Sequence, residues 1–313
     1  MIVAVIVTFN RVNLLKRALT HIENQEVKPD RIVLVDNHSD DGTQDFCKEY
    51  LSLQDLNNES FESQYVSYQM DGNLNDIGCN YLRTSRNGGG ALGFYLGSKY
   101  AVDVLEAEAV WLMDDDGYPQ NQCLKELLNV DESFSASLVV DESNNENLSF
   151  GFGALHRVKD FSGLEVVKGY ANPYNSILLR REAFIDAGFP REDFFIYGDE
   201  NEFQQRLKRC GHVPTLAVNS IHYHPRNRQE EEIVLGFIKI NKIQGGLRSY
   251  CYYRNTFYVL RVYLGVFAAV RWAAKSIFAN LVKGRVGVVW VMCKAFQESF
   301  KKHFKGHYKY LLK

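Results

Sequence analysis

Short apolar runs alternate with helical patterns along the first half of the chain. The run Ile2–Val7 predicts a strand that is buried on both faces, and the residues after it show the apolar spacing of a helix. Arg31–Val35 predicts a second strand and Val110–Met113 a third, while Thr215–His224 predicts a later one. The β-α-β order of the first elements predicts an α/β fold around a parallel sheet with a right-handed crossover.

Polar residues follow these strands directly. Thr8–Arg11 come after the first strand, Asp36–Thr43 after the second and Asp114–Asp116 after the third. The carboxyl ends of parallel strands lie at one edge of their sheet, where such folds bind ligands. We therefore expect the ligand site at this edge, with Thr8–Arg11 and Asp36–Thr43 in it.

The composition is that of an ordinary globular protein. The 313 residues are 46% hydrophobic and 24% charged, which excludes a disordered, collagenous or low-complexity chain. The six cysteines are scattered and form no CxxC pair, so we expect a reducing compartment and neither a zinc ribbon nor a disulfide scaffold. The apolar N-terminus predicts a buried strand rather than a signal peptide.

The formal net charge of −2 hides a sharp asymmetry. Residues 247–313 hold 13 Lys and Arg against one acid, Glu298, whereas residues 1–246 hold 23 bases against 37 acids. The split predicts two domains, 1–246 and 247–313, in different surroundings. The acidic domain suits a cation site and the basic one an anionic surface.

Three consecutive aspartates are the strongest local signal. Alternate residues of an extended segment point the same way, so Asp114 and Asp116 can grip one cation together. Oxygen ligands favour Mg²⁺ or Mn²⁺, which commonly bridge carboxylates to substrate phosphates. The alternative is a solvated acidic turn, although few such turns follow a strand as apolar as VWLM.

Two further groups carry possible chemistry. Asp199–Glu202 is a second acidic cluster, beside aromatic residues and at the start of a predicted helix, so one carboxylate can be a general base or simply a helix cap. His222 and His224 share one face of a strand. Together they can bind zinc. Alternatively one histidine completes the aspartate site, and His224 is favoured over His222 for this role. The remaining alternative is that each is an ordinary hydrogen-bonded histidine.

The motif RNGGGALGF contains a triple glycine that matches neither a dinucleotide-binding fingerprint nor a P-loop. It still allows the backbone to approach a nucleotide closely. With it, the ordered motifs VIVTFNR, VDNHSDDGT, WLMDDDG, FFIYGDENEFQQRLKRCGH and IHYHP resemble the family 2 glycosyltransferases over residues 1–225. The combination of DDD and NGGG is most similar to the galactofuranosyltransferase branch, with rhamnosyltransferases as the nearest alternative.

The resemblance implies a GT-A nucleotide-binding fold with a mainly parallel central sheet over 1–246, and a basic α-helical C-terminal region over 247–313. It implies a nucleotide-sugar pocket lined by Thr8, Asn10, Arg11, Asp36, Asn87, Gly88, Gly89, Gly90 and Asp115. It implies a Mn²⁺ or Mg²⁺ site formed by Asp114, Asp116 and His224. The family's base lies six residues before the helix arginine, which places it at Glu200, with Asp199 as the alternative.

The implied activity is inverting, metal-dependent transfer of a sugar to a growing glycan. The resemblance favours galactofuranose from UDP-galactofuranose as donor and a lipid-linked cell-surface glycan as acceptor. A rhamnosyltransferase or another hexosyltransferase is the alternative within the family. A sugar-nucleotide pyrophosphorylase would show a basic, glycine-rich N-terminal loop, and VTFNRVN is not one. A non-catalytic carbohydrate-binding protein would not need two acidic clusters and a strand-end histidine.

The C-terminal region predicts a basic amphipathic helix. Its charge-free run Val262–Val270 has nine residues, far short of the roughly 20 that a bilayer requires. As one helix, residues 254–282 would carry an apolar stripe of Val259, Tyr263, Phe267, Val270, Ala274, Ile277 and Leu281. The opposite side would carry Arg254, Arg261, Arg271 and Lys275.

Such a helix, with its cationic end, suits attachment to an anionic membrane. We expect a cytoplasmic protein peripherally bound to the inner face of the cell membrane. The alternative is packing against the rest of the chain or in a homo-oligomer. Nucleic-acid binding is not expected, because the acidic half would oppose it.

Overall fold

The computed structural model describes residues 1–55, 61–172, 174–226, 231–243 and 245–311. Residues 312 and 313, the last of the predicted C-terminal region, lie outside the described residues. The chain forms two compact units, one of Met1–Pro190 with Arg206–Asn227 and the other of Arg191–Gln205 with Arg228–Lys313. The predicted division between residues 246 and 247 lies within the second unit.

The first unit is built on a large sheet. Its strands are, in chain order, β1 (Ile2–Thr8), β2 (Arg31–Asp36), β3 (Gln54–Asp55), β4 (Val66–Leu74), β5 (Ile77–Thr84), β6 (Ala109–Asp114), β7 (Tyr118–Pro119), β8 (Phe134–Asp141), β9 (Asn147–Phe152), β10 (Leu155–Arg157), β11 (Val166–Lys168), β12 (Asn175–Arg180) and β13 (Thr215–His224). A hairpin in the second unit contains β14 (Glu231–Val234) and β15 (Ile238–Asn241).

The helices cover the sheet or form the second unit. They are α1 (Val12–Glu23), α2 (Thr43–Tyr50), α3 (Gly89–Lys99), α4 (Cys123–Leu128), α5 (Arg181–Ala187), α6 (Asp199–Arg209), α7 (Gly246–Val259), α8 (Val266–Val282), α9 (Val286–Phe300) and α10 (Tyr308–Leu311). The division between the units passes through α6, after Gln205. π-Helical segments, Tyr100–Val104 and Leu260–Leu264, extend α3 and α7.

The sheet is parallel at its centre and mixed outside it. Its order is β10-β9-β8-β12-β6-β1-β2-β5-β4-β3, with β13 beside β8. The neighbours β6, β1, β2 and β5 pair in parallel, as the apolar runs predict, whereas β12 and β4 flank them antiparallel. Strands buried on both faces need helices on both sides. Leu15, Leu19 and Ile22 of α1 accordingly pack in a core with Ile6 and Trp111.

Helix α3 approaches β1 unusually closely, because glycines face the strand. A Cβ on Gly93 would lie 2.4 Å from Val7 Cγ1, and one on Gly97 would lie 2.3 Å from Val5 Cγ1. Real Cβ atoms do not come so near to other carbon atoms. The glycine spacing therefore sets the distance of α3 from the sheet, and with it the position of the glycine-rich loop from which α3 starts.

We expect Gly97→Ala to lower the free energy of unfolding by about 1–3 kcal/mol, because the added methyl group overpacks the α3–β1 contact. The matched control is Gly90→Ala in the same helix, where an added Cβ meets no atom within 4 Å. That change should be neutral or stabilise by up to about 1 kcal/mol, since alanine favours helix. Urea unfolding followed by circular dichroism compares the two, and equal effects would contradict the close contact.

The second unit has its own core. Tyr250, Cys251 and Tyr253 of α7 pack with Met292 and Ala295 of α9. Phe195 belongs to the same buried cluster, which is why the short segment Arg191–Gln205 joins this unit. Among the described residues, no helix combines the length and the apolar character that crossing a membrane requires.

The prediction of one amphipathic helix over residues 254–282 is wrong. Gly265, with φ of 94°, separates α8 from the π-helical segment after α7. Arg254, predicted on the exposed cationic face, is 0% exposed. The break at Gly265 rotates the two halves relative to the pattern that a single helical period projects.

Candidate active site

The carboxyl ends of the central strands are in register. Thr8 at the end of β1 pairs with Asp36 at the end of β2, and Val7 pairs with Asp114 at the end of β6. The segments that continue from these strands therefore leave the sheet at the same edge. This confirms that Thr8–Arg11 and Asp36–Thr43 follow the strands at this edge of the sheet and brings the aspartate triplet beside them. That a ligand binds there stays a prediction.

Asp115 is the buried member of the triplet. It is 2% exposed, and its carboxylate accepts hydrogen bonds from Thr8 Oγ1 at 2.7 Å and from Arg11 Nη1 at 3.0 Å. Burial raises the pKa of Asp115 to about 6, although the charge of Arg11 opposes the shift. Asp115 thus joins the loop after β1 to the end of β6 and fixes the Arg11 guanidinium.

Asp116 binds the same guanidinium and also faces a histidine. Its Oδ2 lies 2.7 Å from Arg11 Nη1, and its Oδ1 lies 3.0 Å from Nε2 of His224, the last residue of β13. Burial alone would raise the pKa of Asp116, but His224 and Arg11 hold it below its usual value. An ionised carboxylate therefore points at an imidazole.

The orientation of the His224 ring indicates a place for a cation. Its Nδ1 lies 2.6 Å from the carbonyl oxygen of Pro225, which can only accept a hydrogen bond, so we assign a proton to Nδ1. Nε2 faces the Asp116 carboxylate, so a second proton or a metal ion has to lie between the two, because a lone pair there would repel the carboxylate. A carboxylate and an imidazole together suit ions such as Mn²⁺, so the two residues fit a divalent metal.

Asp114 is less directly placed. Its main-chain N–H donates to the Tyr174 carbonyl at 3.0 Å, and its charge contributes to raising the pKa of Arg11, against the effect of burial. Within the described ranges, no three His, Cys, Asp or Glu side chains converge on one metal position. The structure thus brings Asp116 and His224 together, and the participation of Asp114 stays a prediction.

His222, the other histidine of the strand, is enclosed. It is 0% exposed, and neither ring nitrogen has a hydrogen-bond partner in the described part of the chain. Burial lowers the pKa of His222 to about 3, which keeps the ring neutral. A Cβ on Gly117 would lie 2.2 Å from its Nε2. His222 therefore packs beneath the turn that follows the triplet.

Asp36 lies under the site with both carboxylate oxygens engaged. It is 0% exposed and accepts hydrogen bonds from Tyr81 Oη at 2.5 Å, Arg83 Nη1 at 2.6 Å and the Ser39 N–H at 2.8 Å. Arg83 also donates to the Ser39 carbonyl at 2.8 Å. Asp36 therefore fixes the loop after β2, and its place in the nucleotide-sugar pocket stays a prediction.

The loops after β1 and β2 hold each other through Asn10. Asn10 has φ of 53°, a conformation that asparagine tolerates better than most residues. Its N–H donates to Ser39 Oγ at 2.9 Å, and its Oδ1 accepts from the Asp40 N–H at 2.8 Å. Arg11 follows with 46% of its side chain exposed. A cation anchored by two carboxylates is thus accessible to an anionic ligand.

The glycine-rich loop is fixed to the end of β2 by Asn37. This buried side chain donates to the Gly89 carbonyl at 2.5 Å and accepts from the Gly88 N–H at 3.1 Å. Asn87 Oδ1 accepts from the Gly89 N–H at 2.8 Å. Helix α3 begins here, and the N-terminus of a helix is suited to phosphate groups. Gly90 stands where an added Cβ would meet open space.

Sequence reasoning missed several residues of this edge. Asn37 was expected at this edge only as part of Asp36–Thr43, without a contact of its own. Arg83 was not expected here, although a charged residue in an apolar strand signals a buried partner. Arg17 of α1 donates to Glu142 at 2.7 Å and to the Asp116 carbonyl at 2.7 Å. Only the packing of α1 against the turn after β6 brings Arg17 to Glu142 and the Asp116 carbonyl, so their spacing in the chain does not predict these contacts.

The second acidic cluster begins α6. Asp199 is 5% exposed and Glu200 is half-buried, whereas Glu202 is buried and accepts a 2.9 Å hydrogen bond from Tyr263 Oη. Arg206, the helix arginine, donates to the carbonyls of Ala187 and Phe189. Glu200 is therefore the more accessible of the two candidate bases.

Comparison with known proteins identifies the family. The profile of the family described as Glycosyl transferase family 2 matches residues 3–197, more than half of the chain. The galactofuranosyltransferase GlfT1 of Mycobacterium tuberculosis is 29% identical over 270 residues, which are 82% of this chain and 81% of that protein.

Solved structures share the fold. S. aureus TarS 1–349 in complex with UDP aligns with a TM-score of 0.51 at 12% identity, over 96% of this chain and 72% of that one. The mannosyltransferase PcManGT from Pyrobaculum calidifontis, in complex with GDP-Man and Mn²⁺, aligns with a TM-score of 0.51 at 12% identity, over 94% and 73%. These likenesses carry the GT-A fold and nothing finer. With the match to the family profile, they lead to one conclusion: the chain belongs to glycosyl transferase family 2 and is a glycosyltransferase.

Proposed function

We propose that this protein is an inverting, metal-dependent galactofuranosyltransferase that uses UDP-galactofuranose and extends a lipid-linked cell-surface glycan. The observation that carries the proposal is the strand-edge cluster, in which Arg11, Asp116 and His224 meet at the carboxyl end of the parallel strands. Support for the donor comes from the galactofuranosyltransferase relatives. Support for a nucleotide-sugar donor comes from the UDP and GDP-Man complexes of the solved neighbours.

In this proposal the donor lies along the strand edge. Thr8, Asn10 and Arg11 line the nucleotide pocket, above the loop that Asp36 fixes. The glycine-rich segment 87–90 borders the sugar and diphosphate, whose charge the α3 N-terminus and Arg11 stabilise. Asp115 keeps the Arg11 guanidinium in place for that contact.

Asp116 and His224 would hold the divalent metal, with Asp114 as the third predicted ligand. A bound Mn²⁺ or Mg²⁺ supplies positive charge against the diphosphate as it leaves. Glu200 then accepts the proton of the acceptor hydroxyl, and the acceptor oxygen displaces the nucleotide diphosphate directly. Because the attack comes from the opposite face of the sugar, the anomeric configuration inverts without a covalent intermediate.

The donor is tested by measuring nucleotide diphosphate release from a panel of sugars. The full-length protein is assayed with UDP-galactofuranose, UDP-galactopyranose and dTDP-rhamnose, with Mn²⁺ or with EDTA. The proposal requires the fastest metal-dependent turnover with UDP-galactofuranose. Faster turnover of dTDP-rhamnose would favour the rhamnosyltransferase alternative. Sugar binding without turnover of any donor would favour a carbohydrate-binding protein.

The second unit supports a place at the inner face of the cell membrane. Large apolar side chains are concentrated on α8 and α9 with high exposure, among them Phe267 at 82% and Trp290 at 65%. Exposed cations accompany them on α8 and after α9: Arg271, Lys275, Lys301, Lys302, Lys305 and Lys309. Exposed aromatic residues and cations together suit the headgroup region of an anionic bilayer. These exposed residues replace the single amphipathic helix as the basis of the membrane proposal.

We expect the double variant Phe267→Asp, Trp290→Ser to bind vesicles containing phosphatidylglycerol at least about tenfold more weakly than the wild type, because each large apolar side chain contributes about 1.5–3 kcal/mol on burial. Cosedimentation measures the binding. The control is Ile185→Asp, which changes a side chain of α5 in the first unit that is 70% exposed and should leave binding unchanged.

Salt should release part of the bound protein, because surface charges are screened. Equal binding to purely phosphatidylcholine vesicles would contradict the role of the cations. A different outcome is that the wild type does not bind vesicles and forms a homo-oligomer, which the double variant dissociates. Phe267 and Trp290 would then belong to a subunit interface.

A further inference from the structure

The loop before α6 has a backbone that needs support. Phe195, Tyr197 and Gly198 have φ values of 69°, 62° and 82°, in the left-handed region that residues other than glycine seldom adopt. The loop leads directly into Asp199 and Glu200, the candidate bases. Such conformations persist only where the surroundings enforce them. The contacts that enforce this one therefore determine where the first turn of α6 points.

Asn255 of α7 makes the central contacts. Its Nδ2 group lies 3.0 Å from the Phe194 carbonyl, 3.0 Å from that of Ile196 and 2.7 Å from that of Tyr197. Asn255 is 0% exposed. One buried amide thus donates to main-chain carbonyls on both sides of Phe195, where the chain turns.

Gly198 completes the fit from the other side. A Cβ on Gly198 would lie 3.2 Å from Asn255 Cβ, and its φ of 82° is one that glycine adopts without strain. The Gly198 carbonyl accepts the 2.9 Å hydrogen bond from the Glu202 N–H that opens α6. The Asn255 contact therefore continues directly into the start of the helix.

Arg254 sets the orientation of the Asn255 amide. Its Nε donates to Asn255 Oδ1 at 2.8 Å, and its Nη2 donates to the Phe194 carbonyl at 2.8 Å. Its Nη1 donates to the Phe304 carbonyl at 2.5 Å, near the end of the described chain. Since the guanidinium occupies the acceptor end of the amide, the donor end has to face the loop.

We infer that Asn255, oriented by Arg254, is a positioning residue that holds the loop Phe194–Gly198 so that α6 presents Glu200 to the acceptor hydroxyl. The inference rests on the proposed assignment of Glu200 as base. Through Glu200, Asn255 would contribute to the chemical step without contacting the substrates itself.

The test is a double-mutant cycle between Asn255 and Glu200 in the full-length protein. Transfer is measured with UDP-galactofuranose, Mn²⁺ and a synthetic galactofuranoside acceptor. Asn255→Ala should lower kcat about 10- to 100-fold and change the KM for the donor less than twofold. In the Glu200→Gln background, the same change should lower kcat less than twofold further, because the base through which Asn255 acts is already lost.

Two further variants separate positioning from loss of fold. Asn280→Ala removes another buried amide of the second unit, one that donates to Ser276 at 2.9 Å, and should keep kcat within twofold. Gly198→Ala pushes on the Asn255 contact without removing a buried polar group, and should show the same lack of additivity with Glu200→Gln. It keeps the test valid if Asn255→Ala does not fold.

The outcomes are distinct. The inference would be overturned if Asn255→Ala lowered kcat by the same factor in the wild-type and Glu200→Gln backgrounds. It would also be overturned if Asn255→Ala left kcat unchanged. Full activity of Glu200→Gln alone would overturn the proposed base itself. If UDP-galactofuranose is not turned over, the donor proposal fails separately, and the cycle is repeated with the nucleotide sugar that supports turnover.

Discussion

Asp116→Ala should lower kcat/KM by about 10²–10³-fold, the usual effect of removing one preorganised group that stabilises developing charge. Asp116 joins the other two members of the strand-edge cluster, because it lies 2.7 Å from Arg11 Nη1 and 3.0 Å from His224 Nε2. Its loss removes the carboxylate of the proposed metal pair and one of the two carboxylates that anchor the guanidinium. The measurement is UDP release from UDP-galactofuranose across a Mn²⁺ titration after treatment with EDTA.

Calorimetry of UDP binding gives a readout besides activity. Mn²⁺ should strengthen UDP binding to the wild type and fail to do so for Asp116→Ala. His224→Ala should weaken the Mn²⁺ effect more than His222→Ala, because His222 is enclosed beneath the turn. The control is Asp76→Ala, an exposed carboxylate paired with Lys28. An Asp116→Ala protein with wild-type turnover would refute the metal assignment.

Glu200→Gln should reduce kcat by roughly 10²–10⁴-fold, the range that general-base catalysis contributes. The amide keeps the shape of the side chain and cannot accept the proton of the acceptor hydroxyl. Donor binding, measured by calorimetry with UDP and Mn²⁺, should stay near the wild-type value. The half-buried position of Glu200, against 5% exposure of Asp199, favours Glu200 as the base.

Asp199→Asn is the matched comparison, since it makes the same chemical change one residue earlier. We expect it to affect kcat less than Glu200→Gln does. A large loss for Asp199→Asn together with a nearly active Glu200→Gln would instead assign the base to Asp199.

The centre of the fold could be predicted because its signals are local. An apolar run such as Ile2–Val7 is typical of a strand that is buried on both faces, as in a parallel sheet. Asp36 and Asp114 end their strands as the pattern indicates. The antiparallel flanks, such as β12 and β4, gave no comparable signal, because their place depends on long connections across the sheet.

The candidate site could be located and only partly resolved. The sequence places Asp115 and Asp116 at a strand end, but it does not indicate that both bind Arg11. Asn37 and Arg83 act through partners far away in the chain, which no spacing rule reveals. The charge pattern of residues 247–313 wrongly predicted an exposed Arg254 for a related reason. Arg254 lies in the core, where main-chain carbonyl groups distant in the chain accept hydrogen bonds from its guanidinium.

The second unit combines Arg191–Gln205 with residues from Arg228 to the end of the chain. Proteins are synthesised from the N-terminus, and domains tend to fold in that order. The segment that carries Glu200 is therefore made well before Asn255 and Phe304, to which its loop is tied directly or through Arg254. While the chain grows, the parallel strands can assemble, whereas this loop has to wait for Asn255 and Phe304. A nascent chain that ends before Asn255 therefore lacks the contacts that order the start of α6.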